Sequence, residues 1–265
     1  MNLPQRIAAL PGRLPAKFED ASPGHRFLLY LRYWDAITFG AYKDVRANTD
    51  GLTPLQKREQ RAKLDAEKKA PLGEVCPLGP SAIELVKGLR NRQKALIENY
   101  GRQGYRQAAE STAPFASGLG NEHPIENGFS FLTPYGLPYL AGSGVKGVLR
   151  RAAEELALAR PESGWTWLDI WWLFGFEGAA GSLWEGHTEF GGAFAHDVPT
   201  LAAREDLVDF IKTAIPDKKE SARFLDSKED RRGTFLNLLL QDDNFRQSIH
   251  TRGALDFWDV FPSPS

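Results

Sequence analysis

Between Tyr139 and Arg151 the sequence reads Tyr-Leu-Ala-Gly-Ser-Gly-Val-Lys-Gly-Val-Leu-Arg-Arg, and no other stretch restricts the fold as strongly. Gly136-Leu-Pro-Tyr-Leu predicts a short strand, Gly142-Ser-Gly144 a turn, and Val145 onward a helix. Val145, Val148, Leu149, Ala152, Leu156 and Leu158 are available for its buried face, and Pro161 and Gly164 close it. A helix start leaves backbone N–H groups without intrahelical acceptors, and the helix dipole places positive potential there. Glycines allow an anion to approach those amides closely. Lys146, Arg150 and Arg151 add cationic side chains. The segment therefore suits repeated phosphates, and the candidate phosphate-binding residues are Gly142, Ser143, Gly144, Lys146, Gly147, Arg150 and Arg151.

Two nucleotide-binding motifs are excluded by spacing. A P-loop needs Gly-Lys-Ser/Thr, whereas Val145 precedes Lys146 and Gly147 follows it. Gly142, Gly144 and Gly147 fit G-x-G-x-x-G, yet no acidic ribose partner follows in a βαβ unit. Asp169 lies at the head of a Trp-rich, helix-like stretch and not at a strand end. The plainer reading is a tight turn that packs a helix onto a sheet.

Around this segment the chain reads as α+β. Residues 1–25 carry Pro4, Pro11, Pro15 and Pro23 and suggest an extended arm. The aromatic run over 26–42 suits core. Residues 53–70 predict an exposed charged helix with Thr53 as N-cap and Pro54 at its first position. A second helix is expected from Ser81, with Ser81 and Glu84 as a capping box, running to about Tyr100. Its apolar face comprises Ile83, Val86, Leu89, Gln93, Leu96, Ile97 and Tyr100. Trp165, Trp167, Trp171 and Trp172 are expected in the core or against a partner. Residues 200–250 read as polar and helical, punctuated by Pro216 and Gly233, and 252–261 as a terminal strand. The expected domains are 1–110, an arm and helical region, and 111–265, a core with a helical insertion at about 200–250.

Charge divides along the chain. Residues 1–110 hold 19 Lys and Arg against 12 Asp and Glu, leaving 14 against 22 in the remainder and −1 overall. Such an asymmetry fits two different faces or partners, or plain solvated surface. No run of eighteen apolar residues exists, so no membrane span is expected. The single cysteine, Cys76, excludes an internal disulfide framework and argues against cysteine-ligated zinc. The cytoplasm is the expected compartment and no cofactor is expected. His25, His123, His187, His196 and His250 are scattered, and neither His187-x-Glu189 nor His196-Asp197 is specific enough to indicate a metal.

Gly118-Leu-Gly-Asn with Glu126-Asn-Gly128, the run Gly136-x-Pro-Tyr-x-x-Gly-Ser-x-x-Lys-Gly-x-x-Arg150, and Phe174-Gly175 with Gly253-Ala-Leu-Asp-Phe-Trp-Asp-Val-Phe-Pro262 form one constellation. It resembles the RAMP superfamily of CRISPR proteins, and within it most the sixth RAMP subunit of the type III-B (Cmr) effector complex. The likeness covers about 113–175 and 252–262. It implies a ferredoxin-like (RRM-like) core with the glycine-rich loop beside bound RNA. It also implies a non-catalytic role, with guide RNA, target RNA and neighbouring effector subunits as partners. Asn121 and His123, in the first matching segment, join the RNA-binding candidates on this basis. The family pattern continues past the Asp-x-x-Pro element, so a chain stopping at Ser265 is expected to be a shortened member or a fragment with an open sheet edge. Two alternatives stand beside this expectation. One is a RAMP-type guide-processing endoribonuclease using His123 or His25, and the other is a scaffold touching protein only.

Overall fold

A computed structural model describes residues 20–28, 51–59, 62, 72–73, 77–113, 115–123, 126–159, 163–178, 188–225 and 229–263. The chain forms two compact units, Met1–Leu140 with Asp259–Ser265, and Ala141–Trp258. Helices and short antiparallel strands make it an α+β protein.

In the first unit, α1 (Pro23–Leu28) buries Phe27, whose ring meets Phe129 edge-on at 5.1 Å. Only glycine fits at Gly24, because a Cβ there would strike the Phe131 ring and the Gly136 backbone. Most of the aromatic run over 26–42 lies outside the described residues. Thr53 does cap a helical stretch beginning at Pro54. Its Oγ1 accepts from the Gln56 amide at 3.3 Å, while Gln56 Oε1 accepts from the Thr53 amide at 2.9 Å. Most of the helix expected beyond residue 59 lies outside the described residues.

Helix α2 (Pro80–Tyr100) ends where its periodicity predicts but begins differently. Gly79 is the N-cap and Pro80 takes the first position, so Ser81 makes no cap and Glu84 instead pairs with Lys87 at 2.8 Å. The ring of Pro80 presets φ for a helix start and has no N–H to satisfy, which moves the start one residue earlier. Ala82 and Val86 are buried with Leu137, while Leu96 and Tyr100 are exposed. Lower on the helix, Gln93 donates to the Asp259 carbonyl at 2.7 Å.

Two hairpins follow in this unit. Strand β1 (Glu122–His123) pairs antiparallel with β2 (Glu126–Asn127), and β3 (Phe131–Leu132) with β4 (Leu137–Pro138). Gly136, at φ 62°, closes the second hairpin. Leu140 bridges Val260, so the expected strands at 136–140 and 252–261 each contribute a short pairing.

The second unit begins with α3 (Gly142–Ala159). Its start is earlier than the sequence suggests: the Gly144 and Val145 amides both donate to the Ala141 carbonyl, so Gly142-Ser-Gly144 forms the first helical turn and not a preceding loop. Its buried side also differs. Ala153, Glu154 and Ala157 face inward, while Val148 and Leu149 are 71% and 46% exposed. Small alanines let α3 lie close to α4 (Trp167–Phe174), where long branched residues would hold it away.

Helix α4 is set by a capping box. Thr166 Oγ1 accepts from the Asp169 amide, and the Asp169 carboxylate accepts from the Thr166 amide. Trp167 and Trp171 are buried, and Trp165 and Trp172 pack at the core margin. Strand β5 (Gly175–Glu177) leads to α5 (Thr188–Ala203), α6 (Asp206–Ala214), α7 (Lys218–Leu225), α8 (Glu229–Gln241) and α9 (Asp243–Ser248), and β6 (His250–Arg252) returns against β5.

The expectation of a merely polar helical insertion at 200–250 is corrected. Leu207, Phe210, Ile211, Phe224, Phe235, Leu236 and Leu239 join Trp171 and Phe194 in one apolar core. Charged residues stand between them in the sequence, yet the apolar residues of these helices gather on this core. Pro216 does fall between helices, whereas Gly233 lies inside α8.

Candidate nucleic-acid interface

Strands β5 and β6 pair Gly175 with Arg252, Phe176 with Thr251, and Glu177 with His250. Alternation puts Phe176 into the core, where its ring meets Trp171 at 4.9 Å, and leaves Glu177, His250 and Arg252 exposed. This close crossing needs glycine. A Cβ on Gly253 would strike the Leu173 and Phe174 backbone, and Gly175, at φ 88°, abuts the Thr251 carbonyl. A Cβ on Gly142 would likewise collide with the Phe257 carbonyl. The start of α3 is thereby fixed beside the chain that follows β6.

The result is an open groove of about 320 Å³ between the first two turns of α3 and the β5–β6 ladder. Ser143, Lys146, Gly147 and Arg150 line one side, and Gly175, Glu177, Thr251 and Arg252 line the other. Lys146 is half-buried and forms no ion pair among the described residues. Arg252 projects from β6 and, among the described residues, its one ion pair is with the exposed Asp256, at 2.7 Å. That pair is screened by water and yields readily to a competing anion. Asp256 holds the Arg252 guanidinium above its ordinary pKa by hydrogen bond and charge, so Arg252 stays cationic.

Gly147 differs from its neighbours. Among the described residues, nothing beyond its own helical turn lies within 4 Å of where its Cβ would stand. A glycine inside a helix costs about 1 kcal/mol relative to alanine. Here the protein's own packing gives no return for it. Gly147 also lines the groove, so its backbone carries no side chain where a ligand would approach.

The predicted residues thus separate. Ser143, Lys146, Gly147 and Arg150 come together at the groove, with Gly142 buried behind them. Arg150 is not the mobile cation the sequence suggests. Its Nε donates to Glu154 at 2.9 Å and its Nη1 to the Gly175 carbonyl at 3.2 Å, so it ties α3 to β5. Arg151 points elsewhere, to Glu155 at 3.1 Å, and Gly144 bonds back to Ala141. Asn121 and His123 belong to the first unit. The Asn121 amide group reaches Ser130 Oγ at 3.4 Å, and His123 lies on β1.

Sequence reading missed Glu177, Thr251 and Arg252 as lining residues. Gly175 and Gly253, both within the quoted motifs, were the available signal, because paired glycines mark two backbones that cross closely. Of the other histidines, His25 Nδ1 lies 3.0 Å from Ser22 Oγ and His196 is exposed beside Asp197, while His187 lies outside the described residues. Among the described residues no group of three or more His, Cys, Asp or Glu is placed to hold a metal ion, and no helix is long and apolar enough to cross a membrane.

Comparison with known proteins adds a family. No curated protein and no solved structure matches the chain. The model of the RAMP superfamily matches residues 101–248, more than half of the 265-residue sequence, and that span holds both sides of α3, the β5 strand and the helices that build the core behind them. A match over more than half of the sequence places the chain: it belongs to the RAMP superfamily.

Proposed function

We propose that the chain is a non-catalytic RNA-binding subunit of a type III-B (Cmr) RNA-guided CRISPR effector, most like the sixth RAMP subunit of that complex. Its partners are guide RNA, target RNA and neighbouring subunits, its compartment is the cytoplasm, and its core is of the ferredoxin-like RAMP kind. Membership of the RAMP superfamily supports the CRISPR-associated, RNA-binding part of this reading. The observation that carries it is Gly147, a helix-interior glycine with, among the described residues, nothing beyond its own helical turn against its Cβ direction, standing in a groove with Lys146 and Arg252. A phosphodiester fits such a place through cations on both walls and close approach to backbone.

The groove is small and the chain carries a net charge of −1, so long-range steering is weak and affinity is expected to come from assembly with other subunits. The test is the full chain carrying Lys146→Glu with Arg252→Glu. RNA-dependent assembly with sister subunits should be lost, and the slope of log affinity against log salt should fall by about 1.4 for single-stranded RNA. Unchanged affinity and slope would count against the reading. The same preparation incubated with repeat RNA addresses the endoribonuclease alternative: cleavage abolished by His123→Ala or His25→Ala would replace a binding role with a catalytic one.

A further inference from the structure

One groove residue has the wrong sign for a phosphate site. Glu177 ends β5, is exposed, and lines the groove with Lys146 and Arg252. It makes no ion pair or side-chain hydrogen bond among the described residues. Its neighbour across the ladder is His250, on the same outward face. A carboxylate here repels any phosphate that the two cations attract, so a purely phosphate-reading groove has no use for it. An ionised carboxylate only accepts hydrogen bonds. A nucleotide seated in the groove must therefore offer it a donor.

Single-stranded nucleic acid carries donors in two places: on the bases, as exocyclic amines and ring N–H groups, and on the ribose, as the 2′-hydroxyl. The base donors vary with the base and occur in DNA as well as RNA. The 2′-hydroxyl recurs at every ribonucleotide, lies close to the phosphates, and is what distinguishes RNA from DNA. Cations that fix the phosphates therefore bring a 2′-hydroxyl near Glu177 whatever the sequence. Resting on the RNA-binding reading above, we propose that Glu177 selects RNA over DNA by accepting a hydrogen bond from a ribose 2′-hydroxyl in this groove. Lys146 and Arg252 supply attraction to either polymer, and Glu177 penalises the one without the donor.

The experiment measures binding of two labelled oligonucleotide sequences of different base composition, each as RNA, as 2′-deoxy and as 2′-O-methyl, to the full chain and to Glu177→Ala and Glu177→Gln. Wild type should prefer RNA, with the 2′-O-methyl form behaving like DNA because it lacks the donor. Glu177→Ala should reduce the RNA-to-DNA affinity ratio about fivefold, the size of one net hydrogen bond. It should also bind DNA more tightly than wild type, since a repulsive charge is gone. Glu177→Gln should bind both polymers more tightly and keep most of the preference, because its amide oxygen still accepts. Thermal melts should coincide, since Glu177 is exposed. Wild type that binds RNA with a ratio unchanged by Glu177→Ala overturns the inference alone. A ratio that follows base identity and not the sugar assigns Glu177 to the bases and also overturns it. Failure of wild type to bind RNA, alone or with its sister subunits, removes the reading beneath it.

Discussion

Arg150 and Glu154 are joined one helical turn apart, Nε to Oε1 at 2.9 Å, and the glutamate side chain is only 3% exposed. The same guanidinium reaches the Gly175 carbonyl, so one residue holds a buried carboxylate and the two walls of the groove together. A buried carboxylate is costly unless it is paired. Arg150→Ala leaves Glu154 only the longer contact to Arg151, at 3.9 Å, so stability should fall, by less than the about 3–5 kcal/mol of a fully orphaned buried charge. Arg150→Ala with Glu154→Leu should recover most of that loss. Denaturant titration of the two variants checks it, and equal stabilities would show the ion pair to be incidental. Loss of RNA binding in Arg150→Ala alone cannot be assigned to phosphate contact for the same reason.

Gly147 and Gly142 stand five residues apart on α3 and should respond oppositely to alanine. At Gly147 the Cβ meets nothing beyond its own helical turn among the described residues, so Gly147→Ala should stabilise the helix by up to about 1 kcal/mol. Gly147 lines the groove, so the added methyl should lower RNA affinity. At Gly142 the Cβ would collide with the Phe257 carbonyl, so Gly142→Ala should destabilise by 1–3 kcal/mol or more, as overpacking against backbone does, about that range being usual. Melting curves and RNA titrations of both variants check the contrast. A Gly147→Ala protein that is stabler and binds RNA undiminished removes the argument from the bare backbone.

What could be read from the sequence followed the range of the interactions involved. The α3 segment, the end of α2 at Tyr100, the Trp-rich core helix and the Thr53 cap are local, and their residues announce them. The start of α2 failed because two local signals competed, and Pro80 prevailed over the Ser81–Glu84 pattern. The buried face of α3 failed because choosing Ala153 and Ala157 over Val148 and Leu149 depends on what the helix lies against. Arg252 and Glu177 were invisible as groove residues because 75 residues separate strands whose pairing brings them to α3. The core of 200–250 was underestimated because the many charged residues of that stretch mask the apolar ones that gather on the core.

Gly233 shows the same limit at one position. It reads as a chain break, yet it lies within α8, Glu229–Gln241, with open space where a Cβ would stand. Its neighbours Phe235, Leu236 and Leu239 are buried, so the helix is held by packing despite the glycine. Gly233→Ala should add about 0.5–1 kcal/mol through helix propensity alone. A rise in the denaturation midpoint with unchanged slope would be the signature. A fall would mean that the residue does interrupt the helix.

The first turn of α4 carries an acid-sensitive cluster that does not line the groove. Arg204 donates to Asp169 Oδ1 at 2.8 Å and to Asp206 Oδ2 at 2.6 Å, and also to Thr166 Oγ1 at 2.7 Å. Burial pushes the Asp169 carboxyl up, but hydrogen bonds from Arg204 and Thr166 and the charge of Arg204 outweigh it and hold it below its ordinary value of 3.8. A carboxyl depressed in the folded state contributes stability above its unfolded pKa, and that stability is lost as pH falls through the folded value. The wild-type protein should therefore lose stability progressively below about pH 4 through this group. Arg204→Ala should be less stable at neutral pH and lose less between pH 4 and pH 2, because the carboxyl then titrates nearer its unfolded value. Asp169→Asn should lose the same acid dependence together with about 1 kcal/mol from the cap it forms with Thr166. Denaturant titrations at pH 7, 4 and 2 on the three proteins decide the matter, and parallel pH profiles for wild type and Arg204→Ala would show that the cluster does not couple protonation to folding.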